Sequence, residues 1–257
     1  MNELFSLSAR TALITGATRG IGLAIAYALG RAGAKLIVSS ESHSETSSVA
    51  QTLNDAGIDV IGIAADLSKQ DEVHALAAQA IRHFGRIDVL VCNAGVAPHL
   101  GAMSSASDAD WELTLNVNLR SAIWLTNGLL PAMAEHGGGS VILMSSIAGV
   151  RGNKALGLYG LSKAALSQLA RNLAVEWGPQ NIRVNSISPG VIQTEFARPL
   201  TDNAEVMQRR LALTPLRRVG RPEEVAAVAL LLASPGGAFI SGQNIIVDGG
   251  TTIGDGN

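Results

Sequence analysis

Short apolar runs separated by stretches of helical periodicity recur along the whole chain, and this alternation narrows the fold more than any other feature. Residues 11–15, 35–39, 59–64, 87–91, 140–144, 183–187 and 244–247 each read as a strand. Runs that short and that continuously apolar suit strands covered on both faces. Between them, residues 23–31, a stretch that follows the polar run 40–48 and ends near Gly57, then 69–84, 110–136 and 153–177 read as helices, and Pro222 opens another. Strand and helix in steady succession pack as a parallel sheet with crossover helices on its faces. The expected fold class is α/β: one domain over residues 1–257, built on a doubly wound, seven-stranded parallel sheet. A hydrophobic content of 47% can fill its core. Only the Arg-, Thr- and Pro-rich stretch from 191 to 221 breaks the rhythm, with a weak helical pattern around 204–213, and 194–216 within it is expected to be a lid over the substrate.

Ligands of such sheets sit at the carboxyl ends of the strands. The first run leads into Gly16-Ala17-Thr18-Arg19-Gly20-Ile21-Gly22 and then a helix. A glycine turn there aims backbone N–H groups and a helix amino end at a pyrophosphate. Taken alone it could also be a plain tight connection. Asn93-Ala94-Gly95, Ser146 and Pro189-Gly190 follow other strands, so all of these stretches converge on one cleft.

Tyr159 and Lys163 are four residues apart and share a helix face. A phenol titrates near pH ~10, and a neighbouring ammonium favours its ionised form. The pair could therefore exchange a proton with an alcohol or a carbonyl, with Ser146 bonding the same substrate oxygen. Tyrosine and lysine at this spacing are also common on ordinary surfaces, so the pair means little without a cofactor site beside it.

Several function classes are excluded. A net charge of -2 with scattered basic residues argues against a nucleic-acid surface. Cys92 is the sole cysteine, which rules out an intrachain disulfide or a cysteine-cluster metal site, and no metal is expected. The first ten residues lack a secretory pattern, and the longest apolar stretch, 226–233, is too short to span a bilayer. A cytoplasmic protein is expected.

The ordered set Thr15-Gly16-x-x-x-Gly20-Ile21-Gly22, Asn93-Ala94-Gly95, Val117-Asn118-Leu119, Ser145-Ser146, Tyr159-x-x-x-Lys163 and Pro189-Gly190-x-x-x-Thr194 resembles the short-chain dehydrogenase/reductase family over nearly the whole chain. The resemblance implies a Rossmann-type sheet and an NAD(H) or NADP(H) cofactor. It implies catalytic roles for four residues: Tyr159 as acid/base, Lys163 tuning it and holding the nicotinamide ribose, Ser146 polarising the substrate oxygen, and Asn118 steadying a water. It assigns Gly16, Thr18, Arg19, Gly20, Ile21 and Gly22 to the pyrophosphate side, Asp66 and Leu67 to the adenine, and Asn93, Ala94 and Gly95 to the adenosine and ribose. Pro189, Gly190, Ile192 and Thr194 would meet the carboxamide end. Asn118, Ser146 and Asp66 also have ordinary readings as a helix asparagine, a strand-end turn residue and a turn cap.

Cys92 stands where the family commonly has an asparagine, and reads best as a buried small hydrophobe. Cofactor preference stays open. Ser40 occupies the usual acidic position at the end of the second strand and Glu41 follows; Glu41 would repel a 2′-phosphate that Arg19 and the serines would welcome. Arg19 and Glu41 could also pair with each other. The substrate is expected to be a small secondary alcohol or ketone (a polyol, sugar or carbonyl compound), met by residues 96–101, 151–156 and the lid. Arg151, Lys154 and Arg198 could greet a polar or anionic one, or simply be solvated. Alternative activities are a 3-oxoacyl-thioester reductase and a nucleotide-sensing protein without turnover. Relatives assemble as homodimers or homotetramers through the two long helices and the last strand, and the same is expected here.

Overall fold

In the computed structural model, which describes residues 3–254, all strands join one parallel sheet in the order β3-β2-β1-β4-β5-β6-β7. They are β1 (Thr11–Thr15), β2 (Lys35–Ser39), β3 (Val60–Gly62), β4 (Val89–Cys92), β5 (Gly139–Met144), β6 (Ile182–Pro189) and β7 (Asn244–Val247). Period-two alternation sends successive side chains to opposite faces. On β1, Ala12 and Ile14 join the core cluster on one side, and Leu13 joins the cluster on the other.

The first cluster is closed by α1 (Gly20–Arg31), α2 (His43–Asp55) and α9 (Pro222–Ala233), through Ile25, Leu29, Leu53, Val225 and Leu232. The second is closed by α3 (Gln70–Phe84), α5 (Ser121–Glu135) and α6 (Gly157–Trp177), through Leu76, Leu125, Leu129, Leu166 and Leu173. The chain reverses its direction of travel across the sheet between β1 and β4, which opens a crevice between the loops after those two strands.

Several boundaries differ from the sequence reading, the larger shifts for local reasons. The third strand shrinks to Val60–Gly62, the stretch that pairs with β2. The long helix 110–136 starts earlier, as α4 (Asp108–Leu115), because Ser107 and Asp110 form a reciprocal capping box. It then widens into a π-helical turn, Asn116–Arg120, before continuing as α5, where Pro131 is accommodated. The helix carrying Tyr159 begins at Gly157 rather than 153, since the Asn153 Oδ1 accepts from the N–H groups of Ala155 and Leu156 and holds a turn there. The lid stretch contains α7 (Arg198–Thr201), and α8 (Ala204–Ala212) where its weak helical pattern lies.

No helix among the described residues is long and apolar enough to cross a membrane. The first two and last three residues of the expected domain lie outside the described residues.

Candidate active site

The loops at the carboxyl edge enclose a cleft of about 870 Å³. It is lined by Gly16, Thr18, Arg19, Gly20, Ile21, Ser40, Glu41, Asp66, Leu67, Asn93, Ala94, Gly95, Ser146, Tyr159, Lys163, Pro189, Gly190, Ile192 and Thr194. Gly22 and Asn118, the other two residues singled out in the sequence, stand behind this wall and shape it.

The glycine turn is held by close backbone approach. Gly16 and Gly20 have φ of 61° and 55°, in the left-handed region that favours glycine. A Cβ on Gly22 would lie 2.1 Å from the Gly16 carbonyl oxygen, so α1 can start against the turn only without a side chain there. Asn93 clamps the arrangement: its Nδ2 donates to the carbonyls of Thr15 and Gly16 at 3.0 and 2.9 Å. The Thr15 hydroxyl accepts in return from the N–H groups of Asn93 and Ala94. The resulting cradle, a bare glycine turn at a helix amino end, fits the diphosphate of a dinucleotide.

Asn118 belongs to the π-turn and is 2% exposed. Its Oδ1 accepts from the Val96 N–H at 2.7 Å, while its Nδ2 donates to the Val96 carbonyl and to the Ser162 hydroxyl. It thus pins the loop after β4 onto α6. Both its amide protons are committed to protein partners.

Ser146 follows β5 with its hydroxyl accepting from the Ala148 N–H at 3.1 Å. Tyr159 and Lys163 share a face of α6, with the ammonium 5.5 Å from the ring centroid. That ammonium donates to the Met144 carbonyl at 2.8 Å. Burial pushes the Tyr159 phenol up to about 12, and the Ser146 hydroxyl draws it the other way. This differs from the sequence expectation that Lys163 would acidify the phenol: desolvation dominates while the lysine is turned toward the backbone of β5. Burial likewise brings Lys163 down to about 8, opposed by the charge of Cys92 when ionised. The buried Cys92 thiol is itself pushed up to about 12 by desolvation, so it stays neutral and acts as packing.

Below Lys163 runs a line of buried hydroxyls. Ser145 donates to the Lys163 carbonyl and Ser167 to Ser145; the single Ser186 hydroxyl proton stands within reach of both the Ser167 oxygen and the Asn244 Oδ1, to which Ser188 also donates. The line ties α6 to β6 and β7.

Asp66 lines the cleft and also caps a turn, because its Oδ1 accepts from the backbone N–H and the hydroxyl of Ser68; these bonds, the hydroxyl first, hold its carboxyl below the usual range. Arg19 pairs with Glu45 at 3.5 Å and Glu195 at 3.9 Å rather than with Glu41. Glu45 lines the cleft unforeseen, and the expected lid contributes Phe196 and Arg210 to it. Phe196 stacks obliquely on Tyr159 with centroids 5.9 Å apart. Of the three cations named in the sequence, Arg151 faces the cleft, while Arg198 lies in a neighbouring recess beside Thr18 and Arg19 and pairs with Glu195.

A family model described as enoyl-(acyl carrier protein) reductase matches residues 16–252. Dehydrogenase/reductase SDR family member 4 of Bos taurus is 36% identical over 95% of this chain and 88% of its own length. A gluconate 5-dehydrogenase from Burkholderia cenocepacia, solved with NADP and tartrate, superposes with a TM-score of 0.94 at 29% identity, covering 98% of both chains. A 7α-hydroxysteroid dehydrogenase, solved with NADH and 7-oxoglycochenodeoxycholic acid, gives 0.93 at 35% identity and 97% coverage of each. With a family model spanning most of its length and relatives of this similarity, the chain belongs to the short-chain dehydrogenase/reductase family of oxidoreductases.

Proposed function

We propose that the protein is an NAD(P)-dependent oxidoreductase acting on a secondary alcohol or its ketone, with Tyr159 as the acid/base. The observation that carries this reading is that Ser146, Tyr159 and Lys163 line the same cleft as the glycine turn. A bound nicotinamide supplies or accepts the hydride. The protein does the rest. In the reducing direction the carbonyl oxygen accepts hydrogen bonds from Ser146 and Tyr159, and as its carbon gains the hydride the Tyr159 Oη gives up its proton to that oxygen. Oxidation reverses this: the alcohol O–H bond breaks as its proton passes to the Tyr159 phenolate, and the C–H bond gives up the hydride that the cofactor would take.

With the phenol at about 12, Tyr159 holds its proton at neutral pH and is ready as the acid of carbonyl reduction. Lys163 would hold the nicotinamide ribose, and Asn118 acts as a positioning residue through the loop it pins. Arg19, matched by Glu45 with Glu41 beside it, supports use of either dinucleotide rather than exclusive use of NADP(H). Relatives of known structure are named for a sugar acid and a steroid, which supports the secondary alcohol as the shared substrate feature on unrelated skeletons.

Assembly as a homodimer or homotetramer is supported by Leu161 and Val175, exposed on α6, and by Phe239 and Ile246, exposed around β7. A reducing cytoplasm is supported by the lone buried thiol.

The test is Tyr159→Phe, assayed at 340 nm against a panel of ketones, sugars and polyols with both dinucleotides. Turnover is expected to fall at least about 10²-fold, the scale of a lost general acid, while dinucleotide affinity stays within about twofold. A variant that turns over at the parent rate would sink the assignment.

A further inference from the structure

The cleft holds four cationic side chains, and they are not equally matched. Arg19 has Glu45 and Glu195, and Lys163 donates to the Met144 carbonyl. Arg151, after β5, and Arg210, on α8, also line the cleft. Among the described residues no carboxylate stands within 4.0 Å of either guanidinium.

Arg151 is exposed and donates at 3.5 Å to the Thr251 carbonyl; Arg210 is half-buried. Burial lowers the Arg210 pKa, and repulsion from Arg151 adds to this, so the two charges feel each other. The acidic residues of the cleft are placed elsewhere: Glu41, Glu45 and Asp66 line it with the glycine turn, and Glu195 is shared between Arg19 and Arg198. Leu156 and Phe196 share the lining with the two arginines, and partial exclusion of water strengthens an ion pair formed there.

Two like charges in one pocket wall without a counter-charge are a cost to the empty protein that an anion removes. Guanidinium groups are suited to carboxylates, which they bind through paired N–H donors. We propose that the physiological substrate is a hydroxy acid or oxo acid whose carboxylate is held by Arg151 and Arg210 while its secondary alcohol or ketone carbon stands at Tyr159. This rests on the oxidoreductase reading above for the reacting carbon, and on the arginine pair alone for the anionic group. Arg210 is then a specificity-determining residue carried by the lid.

The test pairs oxo acids of increasing chain length with their methyl esters, assayed on the full-length protein with its dinucleotide. Alongside it, isothermal titration measures glutarate, a dicarboxylate that cannot be reduced. Among the pairs at least one acid is expected to exceed its ester about tenfold in kcat/KM. Arg210→Gln and Arg151→Gln should each lower the figure for the acid about tenfold, as the loss of a charged hydrogen bond implies, and leave the ester within about twofold. Glutarate should bind the parent and lose affinity in both variants, and Arg210→Lys should restore part of it.

Esters used as well as acids throughout, variants that depress acid and ester alike, or a parent that does not bind glutarate would each overturn the proposal. Glutarate binding that fails in the variants while no ketone is reduced would uphold the anion site and remove the oxidoreductase reading. Reduction of neutral ketones with no preference for an acid would do the reverse.

Discussion

Lys163 is 2% exposed, and its place in the cleft is costly to the fold. Its pKa falls from 10.5 to about 8 because burial disfavours the ammonium. Below pH 8 both folded and unfolded chains carry the proton and the full penalty applies. Between 8 and 10.5 the unfolded chain holds more protons, so stability contributed at this site rises with pH. The penalty is on the order of 3 kcal/mol, since every tenfold change in a proton-binding equilibrium is worth about 1.4 kcal/mol. Lys163→Met is therefore expected to gain most over the parent at pH 7 and to lose that advantage by pH 10. Denaturant titrations at both pH values check this; a difference that does not change with pH would refute it. Residue identities were legible in the sequence here because Tyr159 and Lys163 need only a helix to meet. The direction in which the phenol moves was not, since spacing carries no information about desolvation or about the carbonyl that Lys163 turns toward.

Among the elements, the π-turn at Asn116–Arg120 has the largest effect on the site. It delivers Asn118 to Val96 on one side and Ser162 on the other. π-turns inside helices recur at functional positions for this reason. Asn118→Leu keeps the volume but leaves the Val96 N–H and carbonyl without their partner, at about 1–3 kcal/mol for each buried group. A melting temperature lower by roughly 4 °C or more is expected for a chain of this size, together with weaker dinucleotide binding as the Gly95 loop loosens. Unchanged melting would show that the loop is held by something else. The sequence reads this region as one helix, 110–136, because a single widened turn leaves the apolar periodicity nearly intact. Likewise the turn before Gly157 depends on what the Asn153 side chain accepts, which a period cannot report. Strands such as β1 and β5 were plain in the sequence because burial on both faces demands an unbroken apolar run.

At the scale of the whole molecule, the sheet leaves β7 at one edge, and Phe239 just before it is fully exposed at 103%. Val175, at 82%, lies near by on α6, whose Ala174 meets Gly242. An edge strand with large apolar neighbours is a surface that a second copy can cover. Light scattering is expected to give a mass of two or four chains, reduced by Phe239→Asp; a single-chain mass for the parent would end that reading. The seven-stranded sheet and the convergence of its loops could be anticipated from the alternation alone. Glu45 could not, because it reaches the cleft only once α2 is folded beside the glycine turn, and Arg210 could be anticipated only as part of the lid.

The widened turn also sets a rule for heredity. Removing one codon between 116 and 120 would close an ordinary helical ladder and leave Ser121–Glu135 packed as they are, with Leu125 and Leu129 still in the core. What would be lost is the outward step that carries Asn118 to Val96 and Ser162. The extra residue serves the cleft and not the helix.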